Sequence, residues 1–254
     1  MKLIKTNEEI KLMLLAGERL AYVFNAINFS EWIGKTKKQL DLHVGSLLDK
    51  YEMKSCCLGY KQFSGYSCIS LNQELVHGVP NETIITEVDF LKLDICASYK
   101  GFCADAARIF YKKGVNFIFD TMEKCANESL ISGINAFQRG NTVGCIGNAI
   151  FEVIKNYRYA VVEDFAGHGI GKQMHEPPEV LNYGVKKRGQ QFYVGMALAI
   201  EPMFCQFSAV LEHDKNDKWT VRTIDKGLAA HIEDTVVLTH EGPVITTRLK
   251  KEII

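Results

Sequence analysis

Two aspartates in one short stretch are the residues of this sequence best placed to act together chemically. Asp94 and Asp105 lie on either side of the segment 98–101, Ser-Tyr-Lys-Gly, and apolar residues alternate before and after it. This alternation, with glycine at the end of the segment, predicts a β-hairpin with a four-residue loop. If Asp94 pairs with Asp105 across the hairpin, their Cβ atoms lie about 5 Å apart on one face. Carboxylates that close repel each other unless a proton or a metal ion lies between them.

Later residues could complete such a metal site. His168 lies in Gly167-His-Gly-Ile-Gly171, where glycines allow a sharp turn that brings the imidazole close to another group, and His175 follows in the same predicted glycine-rich loop. Glu201 ends an apolar run before a proline, and Glu233 lies in a predicted strand, where an inward carboxylate needs a cation. Each residue alone is more often structural or exposed. Together, two aspartates, two glutamates and one histidine suffice for two divalent ions bridged by carboxylates.

The composition narrows the classes of function. Of 254 residues, 47% are hydrophobic, so the chain can bury a core for one or two domains. Thirty basic and thirty acidic residues cancel, which leaves no net field to attract nucleic acid or an anionic membrane. The start has no apolar run of signal-peptide length, and nowhere do eighteen apolar residues follow one another. We therefore expect a cytoplasmic protein that recognises neither nucleic acid nor membrane.

Helices and strands must position the candidate residues. Thr6 with Glu9 and Thr36 with Gln39 predict capping boxes at the start of two helices. Helical spacing returns over about 116–137 and 142–157, whereas 55–110 and segments near 160–162, 196–200, 219–223 and 235–238 are typical of strands. The two later helices of these pairs match at a shift of 106 residues, from Thr36 to Thr142. A sheet with two helix pairs predicts an α+β fold in two similar halves.

The order of these residues closely resembles that of type I methionine aminopeptidases. The two aspartates, His168, Glu201 and Glu233 occur in family order, with the stretch 67–80 (Ser-Cys-Ile-Ser-Leu-Asn-Gln-Glu-Leu-Val-His-Gly-Val-Pro) upstream. The resemblance runs nearly end to end, from Ile4 to the strand after Glu233. It implies the pita-bread fold, a curved and mostly antiparallel sheet covered by two helix pairs. It also implies one catalytic domain over 1–254, with pseudo-symmetric halves of about 1–110 and 111–254.

The resemblance further implies roles for individual residues. Asp94 would chelate one of two divalent ions, cobalt, manganese, iron or zinc; Asp105 and Glu233 would bridge both; and His168 and Glu201 would complete the other. A hydroxide held by the ions would attack the carbonyl of the first peptide bond, with Glu201 as proton shuttle. His77 and His175 would be catalytic residues that contact the scissile amide and the carbonyl oxygen without binding metal. The methionine pocket would consist of Cys57, Tyr60, Phe63, Cys68, Met174 and Trp219.

Three positions depart from the family pattern. Lys61 follows Tyr60 where histidine is frequent, and Met174 stands where an aromatic residue is frequent. Asp234 follows Glu233 where histidine is common, which would place another negative charge near the metals. None of these departures removes a predicted ligand. They bear on substrate preference, pH optimum and metal preference.

The implied function is removal of the initiator methionine from nascent polypeptides when the second residue is small and uncharged. We expect a monomer; transient ribosome association fits the role, although no motif predicts it. Two alternatives remain. A proline-specific peptidase of the same fold fits less well, because such relatives usually carry a substantial domain before the catalytic one. A non-catalytic peptide-binding member of the fold would typically have lost metal ligands, and this chain has all five.

Overall fold

The computed structural model describes residues 2–249, so the expected domain bounds of 1–254 extend beyond it at both ends. This part of the chain forms α-helices α1 (Asn7–Asn25), α2 (Lys37–Lys50), α3 (Phe117–Ala136) and α4 (Val143–Asn156), and 3₁₀ helices at Phe29–Glu31 and Tyr60–Gln62. Its strands are β1 (Lys54–Ser55), β2 (Cys68–Leu71), β3 (Glu74–Val76), β4 (Leu91–Tyr99), β5 (Phe102–Phe110), β6 (Ala160–Val161), β7 (Ala166–Gly169), β8 (Glu176–Leu181), β9 (Ala197–Ile200), β10 (Met203–Cys205), β11 (Leu211–His213), β12 (Val221–Thr223), β13 (Ala229–His231), β14 (Glu233–Thr239) and β15 (Gly242–Ile245). None of the helices in the described range is long and apolar enough to cross a membrane.

The helices begin where the sequence predicts. The backbone N–H of Glu9 donates to Thr6 Oγ1 (3.2 Å), and the Thr6 N–H donates to the Glu9 carboxylate (2.8 Å). Thr36 and Gln39 form the same capping box at the start of α2. Helices α2 and α4 are both 14 residues long and begin directly after Thr36 and Thr142. The 106-residue shift between the two halves is therefore present in the structure.

A curved antiparallel sheet joins the two halves. Its order is β1-β4-β5-β14-β9-β7-β8, with β2 paired to β4 and β15 paired to β14. Two three-stranded sheets, β13-β10-β6 and β11-β12-β3, accompany it. This confirms the expected α+β architecture of a curved sheet with two helix pairs.

Both helix pairs cover the same face of the large sheet. The core under α1 and α2 contains Leu93 and Ile95 of β4, and the core under α3 and α4 contains Leu198 of β9 and Val236 of β14. Because side chains alternate along a strand, residues 94, 199 and 235 face the other way. The face opposite the helix pairs is therefore the one available for a site.

The hairpin of β4 and β5 differs from the prediction. Its turn is the two-residue Lys100-Gly101, with φ of +48° and +81°, because both residues adopt the left-handed conformation of a type I′ turn. The strands are thus longer than expected, and Cys96, not Asp94, lies opposite Asp105. The predicted register was wrong by two residues. Since two is an even shift, both aspartates keep the same face, but they are diagonal neighbours, a relation that typically separates residues by about 7–8 Å.

Candidate metal centre

Three of the predicted carboxylates lie on adjacent strands, on the face opposite the helix pairs. Ala107 of β5 pairs with Asp94 on one side and with Glu233 of β14 on the other. Cross-strand partners point to the same face, so both acids flank Ala107 on that face. Asp105 lies two residues before Ala107 and points the same way. The strand registers therefore gather these acids before any contact between their side chains is considered.

The second half contributes His168 and Glu201 by the same rule. His168 of β7 pairs with Ala199 of β9, and Ala199 pairs with Thr235, which is on the Glu233 side of β14. Glu201 follows two residues after Ala199. His168 thus lies in a strand, and the expectation of a glycine-rich loop around it was wrong.

Close packing explains the glycines beside His168. A Cβ on Gly167 would lie 2.4 Å from the carbonyl oxygen of Ala199, and one on Gly169 would lie 2.1 Å from that of Pro177. Neighbouring backbone therefore leaves no room for a side chain at either position. His175 lies in the loop between β7 and β8, as expected.

One cavity of about 550 Å³ collects the whole predicted set. Its lining includes the expected ligands Asp94, Asp105, His168, Glu201 and Glu233, the histidines His77 and His175, and the expected pocket residues Cys57, Tyr60, Phe63, Cys68, Met174 and Trp219. The structure therefore brings every predicted site residue together.

The donor atoms form two overlapping groups. One donor each from Asp105, His168 and Glu233 lie within 4.8 Å of one another, and so do donors from Glu201, His231 and Glu233. His168 Nε2 is 3.6 Å from Glu201 Oε1 and 3.9 Å from Asp105 Oδ2. Asp94 lines the same cavity without belonging to either group. Glu233 is shared, as a bridging carboxylate would be.

The electrostatics of the cavity call for a cation. Burial raises the pKa of Glu201 to about 8 and that of Asp94 to about 6, and burial together with neighbouring acids raises the pKa of Asp105 and Glu233 well above their usual values. Within residues 2–249, no lysine or arginine forms an ion pair with any of the four. Asp105 Oδ1 and Glu233 Oε1 are buried and have no hydrogen-bond partner in the same range. Oxygen donors with one imidazole suit divalent metals, so the residues present fit such a centre.

The histidines differ in exposure. Burial lowers the pKa of both His77 and His168 to about 4, which leaves neutral imidazoles at pH 7. His175 is more exposed; its ring centroid lies 4.4 Å from that of His168, and its Nδ1 is 3.5 Å from the Tyr60 hydroxyl. Partial burial lowers the pKa of His175, and the charge of Lys61 lowers it as well. Lys61 therefore affects the site by lowering the pKa of this histidine.

A buried ion pair holds the loop that carries His175. Lys5 Nζ donates to Glu176 Oε2 at 3.0 Å, and both side chains are 5% exposed. The backbone N–H of Gln173 donates to the other oxygen of Glu176 at 3.2 Å. The loop is thus attached to the start of the chain, next to α1.

Sulfur and aromatic side chains form the apolar end of the cavity. Phe63 packs edge-on against Trp219 with ring centroids 5.3 Å apart, and Trp219 also contacts the His77 ring edge-on at 5.9 Å. Cys57, Phe63 and Cys68 are buried. Such soft, polarisable groups suit a thioether side chain.

Comparison with known proteins supplies the family. Residues 11–240 match the profile of metallopeptidase family M24. The chain belongs to this family. It is 37% identical over 248 residues to a methionine aminopeptidase of Clostridium acetobutylicum, covering 97% of this chain and 99% of that protein. The crystal structure of methionine aminopeptidase from Thermotoga maritima superposes with a TM-score of 0.94 at 30% identity, covering 98% of this chain and 100% of that one.

These findings confirm the resemblance and the pita-bread fold. As an M24 metallopeptidase, the protein is a hydrolase that uses divalent metal. A prolidase from Pyrococcus horikoshii is also similar, with a TM-score of 0.76 over all of this chain and 66% of that one. At 22% identity, that likeness shows the shared fold alone.

The sequence suggested that Asp234 would place another negative charge near the metals of this metallopeptidase. In the structure, Asp234 lies outside the metal centre. It is adjacent to Glu233 in β14, so its side chain points to the helix-covered face. There Arg108 Nη2 donates to Asp234 Oδ1 and Arg248 Nε donates to Oδ2, both at 2.7 Å. The hydroxyl of Thr247 donates to Oδ1 at 2.7 Å. Two arginines thus compensate the charge that the sequence suggested would face the metals.

His231 is the cavity residue that the sequence reasoning missed. Its Nε2 lies 3.3 Å from Glu201 Oε2 and 3.8 Å from Glu233 Oε2, and its side chain is 3% exposed. A signal was present, because residues 231 and 233 are two apart in a predicted strand and therefore share a face. No glycine flanks His231 as Gly167 and Gly169 flank His168, so its immediate neighbours do not mark it as a site residue.

Proposed function

We propose that this protein removes the N-terminal methionine from nascent polypeptides whose second residue is small and uncharged. The observation that carries the proposal is one cavity in which a sulfur-rich and aromatic pocket opens onto unpaired buried carboxylates. A methionine side chain suits the apolar end of this cavity, and its carbonyl would then lie at the acidic end. The relatives named methionine aminopeptidase, which match nearly the full chain, support the same substrate.

Two divalent ions would be held by five residues. Asp94 would bind one ion, His168 and Glu201 the other, and Asp105 and Glu233 both; the shared position of Glu233 supports this assignment. When bound, such ions activate water as a nucleophile and stabilise negative charge on a carbonyl oxygen. The acids would contribute the ligands. Because they are buried together, the site would strongly favour a bound cation over an empty state.

The remaining polar residues would handle protons and the peptide. Glu201 would accept the proton of the attacking water and pass it to the departing amine, because as a ligand its carboxylate would lie beside that water. His77 would contact the scissile amide and His175 the carbonyl oxygen. The neutral state favoured by burial lets either ring donate a single N–H without adding charge. The resemblance to the family supports these roles, and His175 reaches the site on a loop held by Lys5 and Glu176.

This substrate also suggests the cellular setting. A nascent chain presents its first methionine in the cytoplasm beside the ribosome, so we place the protein there as a monomer that meets the ribosome transiently. The preference at the second residue would be set at the cavity rim, where Tyr60 and Lys61 lie.

The decisive assay is release of free methionine from peptides. Protein stripped with chelator is given manganese, iron, cobalt or zinc and then offered Met-Ala-Ser or Met-Lys-Ser. We expect metal-dependent release from the first peptide and little from the second. A third peptide, Ala-Pro-Ser, tests for proline-specific cleavage. Release of alanine in place of methionine, or no cleavage by folded protein under any metal, would overturn the proposal.

A further inference from the structure

The position of His231 follows from a break between two strands. His231 ends β13 and pairs with Met203 of β10, whereas Glu233 begins β14 in the large sheet. Ile232 separates them and donates its N–H to the carbonyl oxygen of Pro202 at 3.4 Å. The two polar side chains on either side of Ile232 therefore share the cavity with Glu201, which lies next to Pro202.

The contacts of His231 do not form a complete hydrogen-bonding arrangement. Its Nε2 is buried and, within the described part of the chain, has no hydrogen-bond partner. The nearest acid oxygens, Oε2 of Glu201 and Oε2 of Glu233, lie 3.3 Å and 3.8 Å away. An unpaired buried polar atom costs free energy, so a group that satisfies it is expected in the working protein. Glu233 also carries the unpaired Oε1, which points to the same missing partner.

The distances suit three donors around one ion. Nitrogen and carboxylate donors bind divalent metals at about 2.0–2.2 Å, so two donors of one tetrahedral ion lie about 3.4 Å apart. Both observed separations are close to this value.

We propose that His231 is a further metal ligand, binding through Nε2 an ion that Glu201 and Glu233 also hold. This inference rests on the proposed function, since it assumes the same metal centre. Glu201 would then lie between two imidazole ligands, because its Oε1 faces His168 Nε2 at 3.6 Å and its Oε2 faces His231. The expected set of five ligands with one nitrogen becomes a set of six with two nitrogens.

The proposal changes the expected choice of metal. Imidazole suits zinc, iron and cobalt, whereas carboxylate and amide oxygens suit manganese. The variant His231→Gln replaces the nitrogen with an amide of similar reach. We expect it to weaken binding of zinc and cobalt to one of the two sites at least tenfold, while manganese affinity changes less than threefold. His240→Gln is the matched control, because His240 is exposed in the turn after β14.

The direct test follows the histidine nitrogens themselves. Zinc ions are added to the metal-stripped full chain carrying ¹⁵N-labelled histidine, and the Nε2 resonances are assigned with His168→Gln, His231→Gln and the control. Coordination shifts the resonance of the bound nitrogen, so we expect both His168 and His231 to respond and His240 to remain unchanged. The wild-type spectrum reports on the site even if one variant fails to fold. Calorimetric titration with zinc, cobalt and manganese then gives the affinities.

The outcomes separate this inference from the proposed function. If zinc binds through His168 while His231 does not move, or if His231→Gln changes zinc and manganese affinity equally, His231 is not a ligand. Cleavage of Met-Ala-Ser by the same protein would then leave the proposed function standing. If no ion binds and no methionine is released, both proposals fail.

Discussion

Two adjacent acids in β14, Glu233 and Asp234, experience opposite environments. Both are fully buried, but Asp234 accepts hydrogen bonds from Arg108, Arg248 and Thr247 on the helix-covered face. Glu233 faces the cavity, where its neighbours are acids and neutral histidines and its Oε1 is unpaired among the described residues. Glu233 and Asp234 are buried to the same degree and both carry a carboxyl group, but their partners differ. A satisfied buried carboxylate stabilises the fold, whereas an unsatisfied one marks a position that needs a ligand.

The largest expected effect on activity comes from a substitution on the face of the sheet that lines the cavity. Asp105→Asn removes the charge of a proposed bridging ligand, and we expect both metal affinities to fall and turnover to drop by more than about 1,000-fold. Metal ions supply several kcal/mol of transition-state stabilisation, and each 1.36 kcal/mol is tenfold in rate. Methionine release and metal content measured on the same sample check this. Normal activity in the variant would show that Asp105 does not bridge.

A second variant separates ligands from residues that contact only the substrate. His175→Ala should retain metal with unchanged affinity and lose roughly 10²–10³-fold in kcat, the range for loss of one donor to a developing oxyanion. Steady-state kinetics and a metal titration on the same preparation test it. If the variant lost its metal, His175 would belong to the ligand group and the division between the two groups of histidines would be wrong.

The third prediction compares the two faces of β14 directly. Asp234→Asn leaves the arginines without their buried counter-charge, so we expect the free energy of unfolding to fall by about 3–5 kcal/mol. The matched variant Glu233→Gln replaces a carboxyl group whose raised pKa favours the neutral form in the metal-free protein, so the stability of that protein should change by less than about 1 kcal/mol, while metal binding is lost. Urea unfolding with chelator present measures both. Equal destabilisation by the two variants would show that Glu233 and Asp234 contribute alike to the stability of the fold.

The pH dependence of stability gives a smaller effect from the same acids. In the metal-free protein, the pKa of Glu201 is raised from 4.5 to about 8, so the folded state binds more protons than the unfolded state below pH 8. The contribution of Glu201 to the free energy of unfolding should therefore fall by roughly 1–2 kcal/mol between pH 6.5 and 8. Lys92, whose pKa burial lowers from 10.5 to about 7, contributes in the opposite direction over the same range, so the contribution of Glu201 is measured as the difference between wild type and Glu201→Gln. Below pH 6.5 the buried histidines, whose pKa is lowered to about 4, oppose this trend, because they favour unfolding as the pH falls.

Bound metal should reverse the trend, because an ion displaces the same protons and binds more tightly as pH rises. Urea unfolding at pH 6.5 and 8, with chelator or with saturating manganese, checks both parts. If the metal-free stabilities of wild type and Glu201→Gln changed by the same amount between these two pH values, the raised pKa of Glu201 would be contradicted.

The smallest expected effect lies at the hairpin tip, outside both faces. Gly101 has φ of +81°, and an added Cβ there meets no atom of the described residues within 4 Å. Gly101→Ala should therefore cost about 1 kcal/mol through backbone strain alone, with metal affinity unchanged. Lys100→Gly, at φ of +48°, is the matched change and should be neutral within about 0.5 kcal/mol. A loss of metal in either variant would show that the turn, and not the strand register alone, holds Asp94 and Asp105 in position.

Much of the architecture was predictable because local rules governed it. The capping boxes at Thr6 and Thr36 depend on residues three apart, and the same is true of the helical spacing that follows them. The shared face of Asp94 and Asp105 survived an error of two residues in the register, since the side-chain period of a strand is two. The register itself was missed because Ser98 and Tyr99 were assigned to the loop, whereas the positive φ values of Lys100 and Gly101 make a shorter turn.

The sequence by itself determined which residues could form the metal centre. The types and order of Asp94, Asp105, His168, Glu201 and Glu233 pointed to it before any contact was known. Only the tertiary structure decided which neighbouring acid was neutralised, because Arg108 and Arg248 approach Asp234 from strands and segments distant in the chain. It also decided that His231 enters the cavity, since the pairing of β13 with β10 places it beside Glu201. The arginine partners of Asp234 are set by packing across the sheet, and sequence spacing carries no record of them. For His231, the spacing from Glu233 indicates a shared face but not the contact with Glu201.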